Sequence, residues 1–243
     1  DNSFKNNYDQ NEKYDKYDFY ELIKFDSLSQ SKFSEFVTNF DFEKMTKNMW
    51  QKFCHLLIQV VKGNKFQYDN DTNHRFNGII HYLTKKCNKN VSDAGLVKVT
   101  VSSEPYNFNL AKYVVDLDDK EHYFHSSEKE NEVKWIKYDF GENRVHPTMY
   151  SIRSRYDCGK NDQHLQNWVI EGSNTGNDND WKELDKREGE TCLKGVYIEH
   201  TFDIQNELNI NESFRFLRIR IIEDTYGTKY LVFSALEYFG YLY

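Results

Sequence analysis

The chain has 243 residues and a net charge of −7, and 38% of its residues are hydrophobic and 16% aromatic. A general nucleic-acid-binding protein carries a surplus of basic residues, so the acidic balance argues against that class and against binding to acidic membrane surfaces. No run of about 18 apolar residues occurs, so the sequence predicts no membrane-spanning helix and no membrane insertion.

Within the first 62 residues, the amino-acid composition changes after residue 18. Residues 1–18 are rich in Asn, Lys, Asp and Tyr and predict a flexible lead-in. Apolar residues then recur every three or four positions through residues 19–62, which predicts a helical segment. The sharpest helix begins after Asp41, the expected N-cap, and stops at Gly63. Its apolar stripe is typical of a helix packed on a neighbour, and a peptide or cofactor groove is the alternative.

The rest of the chain is predicted to be rich in strands. Residues 63–75 are polar and predict a linker, and residues 76–83 form a short apolar segment of ambiguous type. Residues 96–101 alternate in the manner of a strand. Pro105 and Pro147 both stand at junctions between predicted elements, where proline is tolerated. Several short predicted strands, separated by turns and bounded by proline, favour a β-sandwich over a βαβ fold.

Four pieces of the sequence carry a family resemblance. They are Trp135–Gly141, Asn167–Gly176 closed by Trp181, Phe214–Arg220 and Ser234–Gly240. In this order and at these spacings they resemble the discoidin (coagulation factor 5/8 type C) domain, a galactose-binding-like family. The resemblance covers roughly residues 76–243. It implies a mainly β, discoidin-type jelly-roll β-sandwich, here with an N-terminal α-helical extension, and a domain that binds rather than catalyses.

The resemblance is strongest to intracellular versions of the domain in protists. In those proteins a helical segment like the tail of a BTB–BACK module precedes the sandwich, and residues 45–54 look like that segment. The four cysteines are scattered without a CxxC pair, which favours free thiols and a reducing compartment. The first residues show no apolar signal segment. We therefore expect a cytoplasmic protein, with association with the cytoskeleton as a further expectation.

The family resemblance also implies a place for calcium. Members that hold this ion use an Asp-rich loop and a Glu on the last strand, and the matching residues are Asp116, Asp118 and Glu237. Calcium prefers several carboxylate and carbonyl oxygens at close range. The loop departs from the family pattern at Leu117, where a Gly often stands, and at His122, where Thr or Ser often stands. A solvated acidic turn is the alternative.

A rim of loops at one end of the predicted sandwich is the candidate ligand site. The candidate residues are Arg153, Arg155, His164, Tyr226, Lys229 and Tyr230. Arg presents a planar fork of donors, and Tyr offers both a ring face and a hydroxyl, so this set suits sugar hydroxyls or a carboxylate. The alternative is that Arg153, Arg155, Arg218 and Arg220 alternate onto a solvent face and pair with acidic residues.

No catalytic motif stands out. His122 and His125 are three apart, so a strand would place them on opposite faces, and the sequence has no P-loop, Rossmann or HExxH pattern. We therefore predict a protein that is not an enzyme and needs no cofactor other than the calcium considered above. The predicted function is a noncatalytic module for intracellular protein–protein interaction or assembly. The alternatives are carbohydrate binding through the loop rim and a structural role in a cytoskeletal or axonemal complex.

Overall fold

The computed structural model describes residues 38–243 except residues 42, 44, 69–73, 108, 128–132, 209–211 and 225, and it describes only the backbone of residues 55–62. The predictions for residues 1–37 lie outside this range. The chain divides into two compact units, residues 1–62 and 63–243. No helix in the described residues is both long enough and apolar enough to span a membrane.

The first unit contains helix α1, Lys47–Lys62. The hydroxyl of Thr46 accepts a hydrogen bond from the Met49 N–H at 3.2 Å, so Thr46 is the N-cap. The predicted N-cap, Asp41, instead accepts from the Glu43 N–H, because its side chain closes a local turn before the helix. Gly63 ends the helix with a φ of 65°, as predicted.

The second unit is built mostly from strands. In its described residues it has helix α2 (Ile79–Cys87), a short 3-10 helix (Ala111–Val115) and the strands β1 (Asn64–Phe66), β2 (Lys98–Val101), β3 (Phe124–His125), β4 (Trp135–Asp139), β5 (Val145–Arg153), β6 (Leu165–Ser173), β7 (Lys182–Arg187), β8 (Glu199–Asp203), β9 (Phe216–Asp224), β10 (Val232–Phe233) and β11 (Ala235–Leu242). One sheet has the order β1-β11-β5-β8 and the other the order β2-β4-β9-β6-β7, while β3 and β10 form a separate pair. Neighbouring strands are antiparallel throughout.

Large aromatic rings join the two sheets. The ring of Tyr138 on β4 meets that of Tyr238 on β11 edge-to-face at 5.6 Å, and Trp168 on β6 meets Phe202 on β8 at 5.2 Å. All four side chains are buried and belong to one hydrophobic core. Edge-to-face ring pairs add to the area that aromatic residues bury. The predicted fold class, a mainly β sandwich of jelly-roll type, is confirmed.

A buried chain of hydrogen bonds also crosses the sandwich. The indole N–H of Trp168 donates to the Tyr150 hydroxyl at 3.0 Å, and that hydroxyl donates to an Asp185 carboxylate oxygen at 2.6 Å. Asp185 is also bonded by the Arg187 guanidinium at 2.8 Å. The polar atoms that Trp168, Tyr150 and Asp185 bury in this network thus have partners, so the network stabilises the core instead of weakening it.

The structure differs from the sequence prediction in two segments. Asn64–Phe66, within the predicted linker, pairs as strand β1 with β11, and Phe66 packs on the core. Strand β8 was not predicted, because Phe202 is its one buried residue and its other side chains are polar. Short strands with so few core residues show no two-residue period. The ambiguous apolar segment forms the start of α2, whose Ile79, Ile80 and Leu83 are buried.

Candidate functional site

A cleft of about 470 Å³ opens on the second unit. It lies between the segment that leads into α2, the loop that follows the 3-10 helix, and the place where β5 and β8 are paired. The lining residues are His74, Arg75, Phe76, Asn77, His81, Leu117, Asp118, Lys120, Arg153 and Glu199. Its volume is within the range of small-molecule sites in proteins.

Arg153 forms the floor of this cleft. Its side chain is only 2% exposed, and its guanidinium donates to the carbonyls of Leu117 at 3.0 Å and Asp119 at 2.6 Å and to the Ser234 hydroxyl at 3.0 Å. Burial lowers the pKa of Arg153, while Glu199, at 3.9 Å, acts in the opposite direction. An arginine with these partners is held in one orientation, so it ties the loop at residues 117–119 to β5.

The N-terminus of α2 forms one wall. The buried carboxylate of Glu237 on β11 accepts hydrogen bonds from the N–H groups of Gly78 at 3.1 Å, Ile80 at 2.8 Å and His81 at 2.9 Å. These N–H groups have no partner within the helix, so the carboxylate acts as a cap supplied by another strand. A Cβ on Gly78 would lie 2.3 Å from the carbonyl oxygen of Tyr238, so the helix approaches β11 this closely only because residue 78 is glycine.

The rest of the lining carries both signs of charge and an aromatic ring. The Phe76 ring faces the Arg153 guanidinium, whose carbon atom lies 5.3 Å from the ring centre. The Arg75 guanidinium donates to the Thr201 hydroxyl at 3.4 Å. Burial, followed by the charge of Lys85, lowers the pKa of His81. This imidazole is therefore neutral at pH 7 and can both donate and accept a hydrogen bond.

The residues predicted to bind calcium have other surroundings. Glu237 is fully buried, and both of its carboxylate oxygens accept backbone N–H groups. Among the described residues, which include Asp116 and Asp118, no group of three or more His, Cys, Asp or Glu side chains is placed to hold a metal ion. The structure therefore does not bring the predicted ligands together, because the acidic side chain of the last strand caps a helix.

The predicted loop rim is divided among several places. Arg153 lines the cleft. Arg155 forms an ion pair with Asp157 at 3.2 Å and lines, together with His164, a separate enclosed pocket of about 10 Å³. His164 is 2% exposed and lies 3.8 Å from the thiol of Cys158, and burial lowers the pKa of this histidine and raises that of the thiol. A buried, protonated thiol is a poor nucleophile, so the pair does not resemble a catalytic one.

The other rim residues follow β9. The Tyr226 hydroxyl donates to the carbonyl of Asn161 at 2.5 Å, and its ring is 59% exposed. Tyr230 packs against His125 with ring centroids 5.4 Å apart, and Lys229 is exposed. None of these three side chains lines the cleft. Their role in binding stays a prediction.

Most of the cleft was not found from the sequence. His74 to Asn77 lie in or beside the segment predicted as a linker, and His81 lies in the segment of ambiguous type. One local signal was present, since the Asn77-Gly78 pair before an apolar run marks a turn into a helix. No sequence pattern indicated that Glu199 would line a cleft, because the strand that carries this residue was not predicted.

No protein-family model matches the sequence, and no curated protein matches it. The chain is similar to many solved structures, among them the following three. For CpGH89CBM32-5 from Clostridium perfringens, in complex with GalNAc-β-1,3-galactose, the TM-score is 0.47 at 16% identity, over 60% of this chain and 96% of that one. For the family 32 CBM of C. perfringens NanJ, in complex with galactose, the TM-score is 0.45 at 11% identity, over 59% of this chain and 93% of that one. For chitosan-binding module 1 of a chitosanase/glucanase from Paenibacillus sp. IK-5, the TM-score is 0.42 at 14% identity, over 60% of this chain and 96% of that one. With TM-scores below 0.5, these similarities assign no ligand to this chain.

Proposed function

We propose that the second unit is a noncatalytic binding module that holds a carbohydrate residue in the cleft above Arg153. The observation that carries this proposal is the lining itself. Its side chains combine acceptors, donors and one aromatic ring within about 470 Å³. Ligand sites of this size take their specificity from a few well-placed polar groups.

The balance of charges favours a neutral, hydroxyl-rich ligand. Asp118 and Glu199 supply carboxylate acceptors, and Arg75 and Lys120 supply cationic donors. Asn77 offers both a donor and an acceptor. A sugar residue presents hydroxyl groups that donate and accept at once, so it can use both kinds of partner. A strongly anionic ligand would instead meet two carboxylates, and a strongly cationic one would meet Arg75, Lys120 and Arg153.

The walls of the cleft are held in place before any ligand binds. Arg153 is fixed by its hydrogen bonds to Leu117, Asp119 and Ser234, and α2 is fixed by the carboxylate of Glu237. A site that is ordered in advance loses less conformational entropy on binding. This rigidity suits weak ligands such as single sugar residues, for which little interaction energy is available.

The test is binding of a panel of monosaccharides and disaccharides, measured by isothermal titration calorimetry. We expect Asp118→Ala and Lys120→Ala each to weaken binding by about tenfold, the effect of losing one or two hydrogen bonds to charged groups. Matched controls are Asp178→Ala and Lys160→Ala, at exposed positions outside the cleft. Absence of binding by the wild-type chain to every sugar, or equal binding by all four variants, would refute the proposal.

The interaction with protein partners inside the cell, the cytoplasmic location and the cytoskeletal role stay predictions. A wild-type chain that binds no sugar but is recovered from cells with a stable set of proteins would replace the carbohydrate proposal with the first of them.

A further inference from the structure

The outer face of the five-stranded sheet concentrates positive charge on a chain whose net charge is −7. We use the name basic sheet face for the outward side chains of β2, β4, β6 and β9 and the residue just before β9. Its charged and aromatic members are Lys98, Trp135, Lys137, Asp139, Glu171, Arg215, Phe216, Arg218, Arg220 and Glu223. Five cations thus meet three carboxylates. On the edge strand β7, Lys186 and Glu183 add one charge of each sign, and Lys186 is already paired with Glu188, just after the strand, at 2.7 Å. The surplus of positive charge is therefore confined to β2, β4 and β9.

Two of the cations stand directly opposite each other. Lys137 on β4 is the registered partner of Arg218 on β9, and like charges in opposed positions of an antiparallel pair destabilise a sheet. Glu171 relieves only part of this repulsion. It accepts from Arg218 at 2.6 Å and from Arg220 at 3.2 Å, so one carboxylate serves two guanidinium groups.

Among the described residues, neither Lys98 nor Lys137 forms an ion pair within 4 Å, although Asp139 is the registered neighbour of Lys98 and lies on the same face as Lys137. Lys98 is exposed on the edge strand β2. The ammonium group of Lys137 lies over the rings of Trp135 at 5.3 Å and Phe216 at 5.7 Å. A cation over an aromatic face is weakly held at an exposed site and stays available to a stronger partner. Trp135 is itself partly exposed, so the face offers a ring and a cation side by side.

We propose that the basic sheet face is a docking surface for an acidic segment, rich in Asp and Glu, of a partner protein. Charge complementarity selects this occupant. Carboxylates of the segment would neutralise Lys98 and Lys137 and relieve the repulsion between Lys137 and Arg218. Arg and Trp are also the residues that most often dominate protein–protein binding energy. A nucleic acid is disfavoured because the rest of the chain is acidic and would repel a polyanion that extends beyond the face.

The experiment uses the whole chain and a fluorescein-labelled oligoglutamate peptide at low salt, followed by fluorescence anisotropy. We expect Lys98→Glu and Lys137→Glu each to weaken binding by about tenfold and salt to weaken wild-type binding, since the attraction is between exposed charges. Lys160→Glu, on the exposed loop after β5, is the matched control and should bind as the wild type does. The neutral variant Lys137→Gln should give an intermediate loss, and it keeps the test valid if a glutamate at this position prevents folding.

Three results would overturn the proposal. The first is equal binding of oligoglutamate and oligoglutamine, or equal binding by the wild type and the face variants. The second is tighter binding of oligothymidylate than of oligoglutamate with the same dependence on Lys98 and Lys137, which would make the face a nucleic-acid site. The third is a dimer in size-exclusion chromatography that Lys137→Glu dissociates, which would make the occupant a second copy of the chain.

Discussion

Glu237 offers the sharpest test of the physical reasoning, because it is a fully buried carboxylate on which the position of a helix depends. Its Oε1 atom accepts from the N–H groups of Ile80 and Tyr238, and its Oε2 atom accepts from those of Gly78 and His81. Burial raises the pKa of Glu237 from 4.5 to about 7, although these four hydrogen bonds act to lower it. The cost of burying the charge therefore exceeds the gain from the hydrogen bonds.

The raised pKa sets both the sign and the size of an effect on stability. The folded state holds the proton more tightly than the unfolded chain, so this contribution to stability is complete below pH 4.5 and is lost as the pH rises through about 7. Each pKa unit corresponds to about 1.4 kcal/mol, so the loss across this window is about 3 kcal/mol. A glutamine at this position carries no charge and does not titrate.

The perturbation is therefore Glu237→Gln, measured by urea unfolding between pH 4.5 and about pH 8 with tryptophan fluorescence as the probe. We expect the free energy of unfolding of the wild type, minus that of the variant, to fall by about 3 kcal/mol across this range. The difference is needed because partial or full burial lowers the pKa of His81, His125, His164 and His200, and histidines with a lowered pKa give the opposite slope in both proteins.

Glu188→Gln is the control, since Glu188 lies on the surface beside Lys186 and its replacement should leave the slope unchanged. A constant difference between the wild type and Glu237→Gln would show that the pKa of Glu237 is not raised. A difference that grows with pH would show that the N–H groups stabilise the carboxylate by more than burial costs it.

Two further substitutions test the packing of the sandwich, each by urea unfolding at neutral pH. Gly78→Ala should lower the free energy of unfolding by about 3 kcal/mol, because the added Cβ would lie 2.3 Å from the Tyr238 carbonyl oxygen. In the control, Gly159→Ala, the atom nearest to the added Cβ is 3.5 Å away, so the loss should stay under about 1 kcal/mol. Tyr150→Phe should cost about 2 kcal/mol, because the hydroxyl is bonded on both sides. Tyr138→Phe should be close to neutral, because the buried Tyr138 hydroxyl has no hydrogen-bond partner in the described part of the chain. Equal costs within either pair would contradict the reasoning.

The strands that were predicted from the sequence are those whose alternation is complete. Trp135–Asp139 places Ile136 and Tyr138 in the core and the three residues between and around them outside, and this two-residue period is visible without a structure. Glu199–Asp203 has one buried residue, and Asn64–Phe66 has none that is fully buried. Such strands form because a neighbouring strand presents free N–H and C=O groups, and that information lies far away in the chain.

The cleft was hard to predict for the same reason. Arg153 was predicted to lie on an exposed loop rim, whereas it is buried and hydrogen-bonded to the carbonyls of Leu117 and Asp119. Glu237 was predicted as a calcium ligand from the family resemblance, whereas three of its four partners are N–H groups more than 150 positions earlier in the chain. A pattern in the sequence can show that a buried charge needs a partner, and only the fold shows which partner it has.

The basic sheet face shows where the two kinds of information meet. The alternative to the loop-rim site was that Arg153, Arg155, Arg218 and Arg220 face solvent and pair with acidic residues. Arg218 and Arg220 do form ion pairs with Glu171, whereas Arg153 is buried. The register adds what the sequence could not supply, because it sets Lys137 opposite Arg218 and Trp135 opposite Arg220. An arrangement of like charges across a strand pair costs stability in the isolated chain. Its cost is offset when carboxylates from another molecule lie over the face, and this is the physical reason for seeking an acidic partner there.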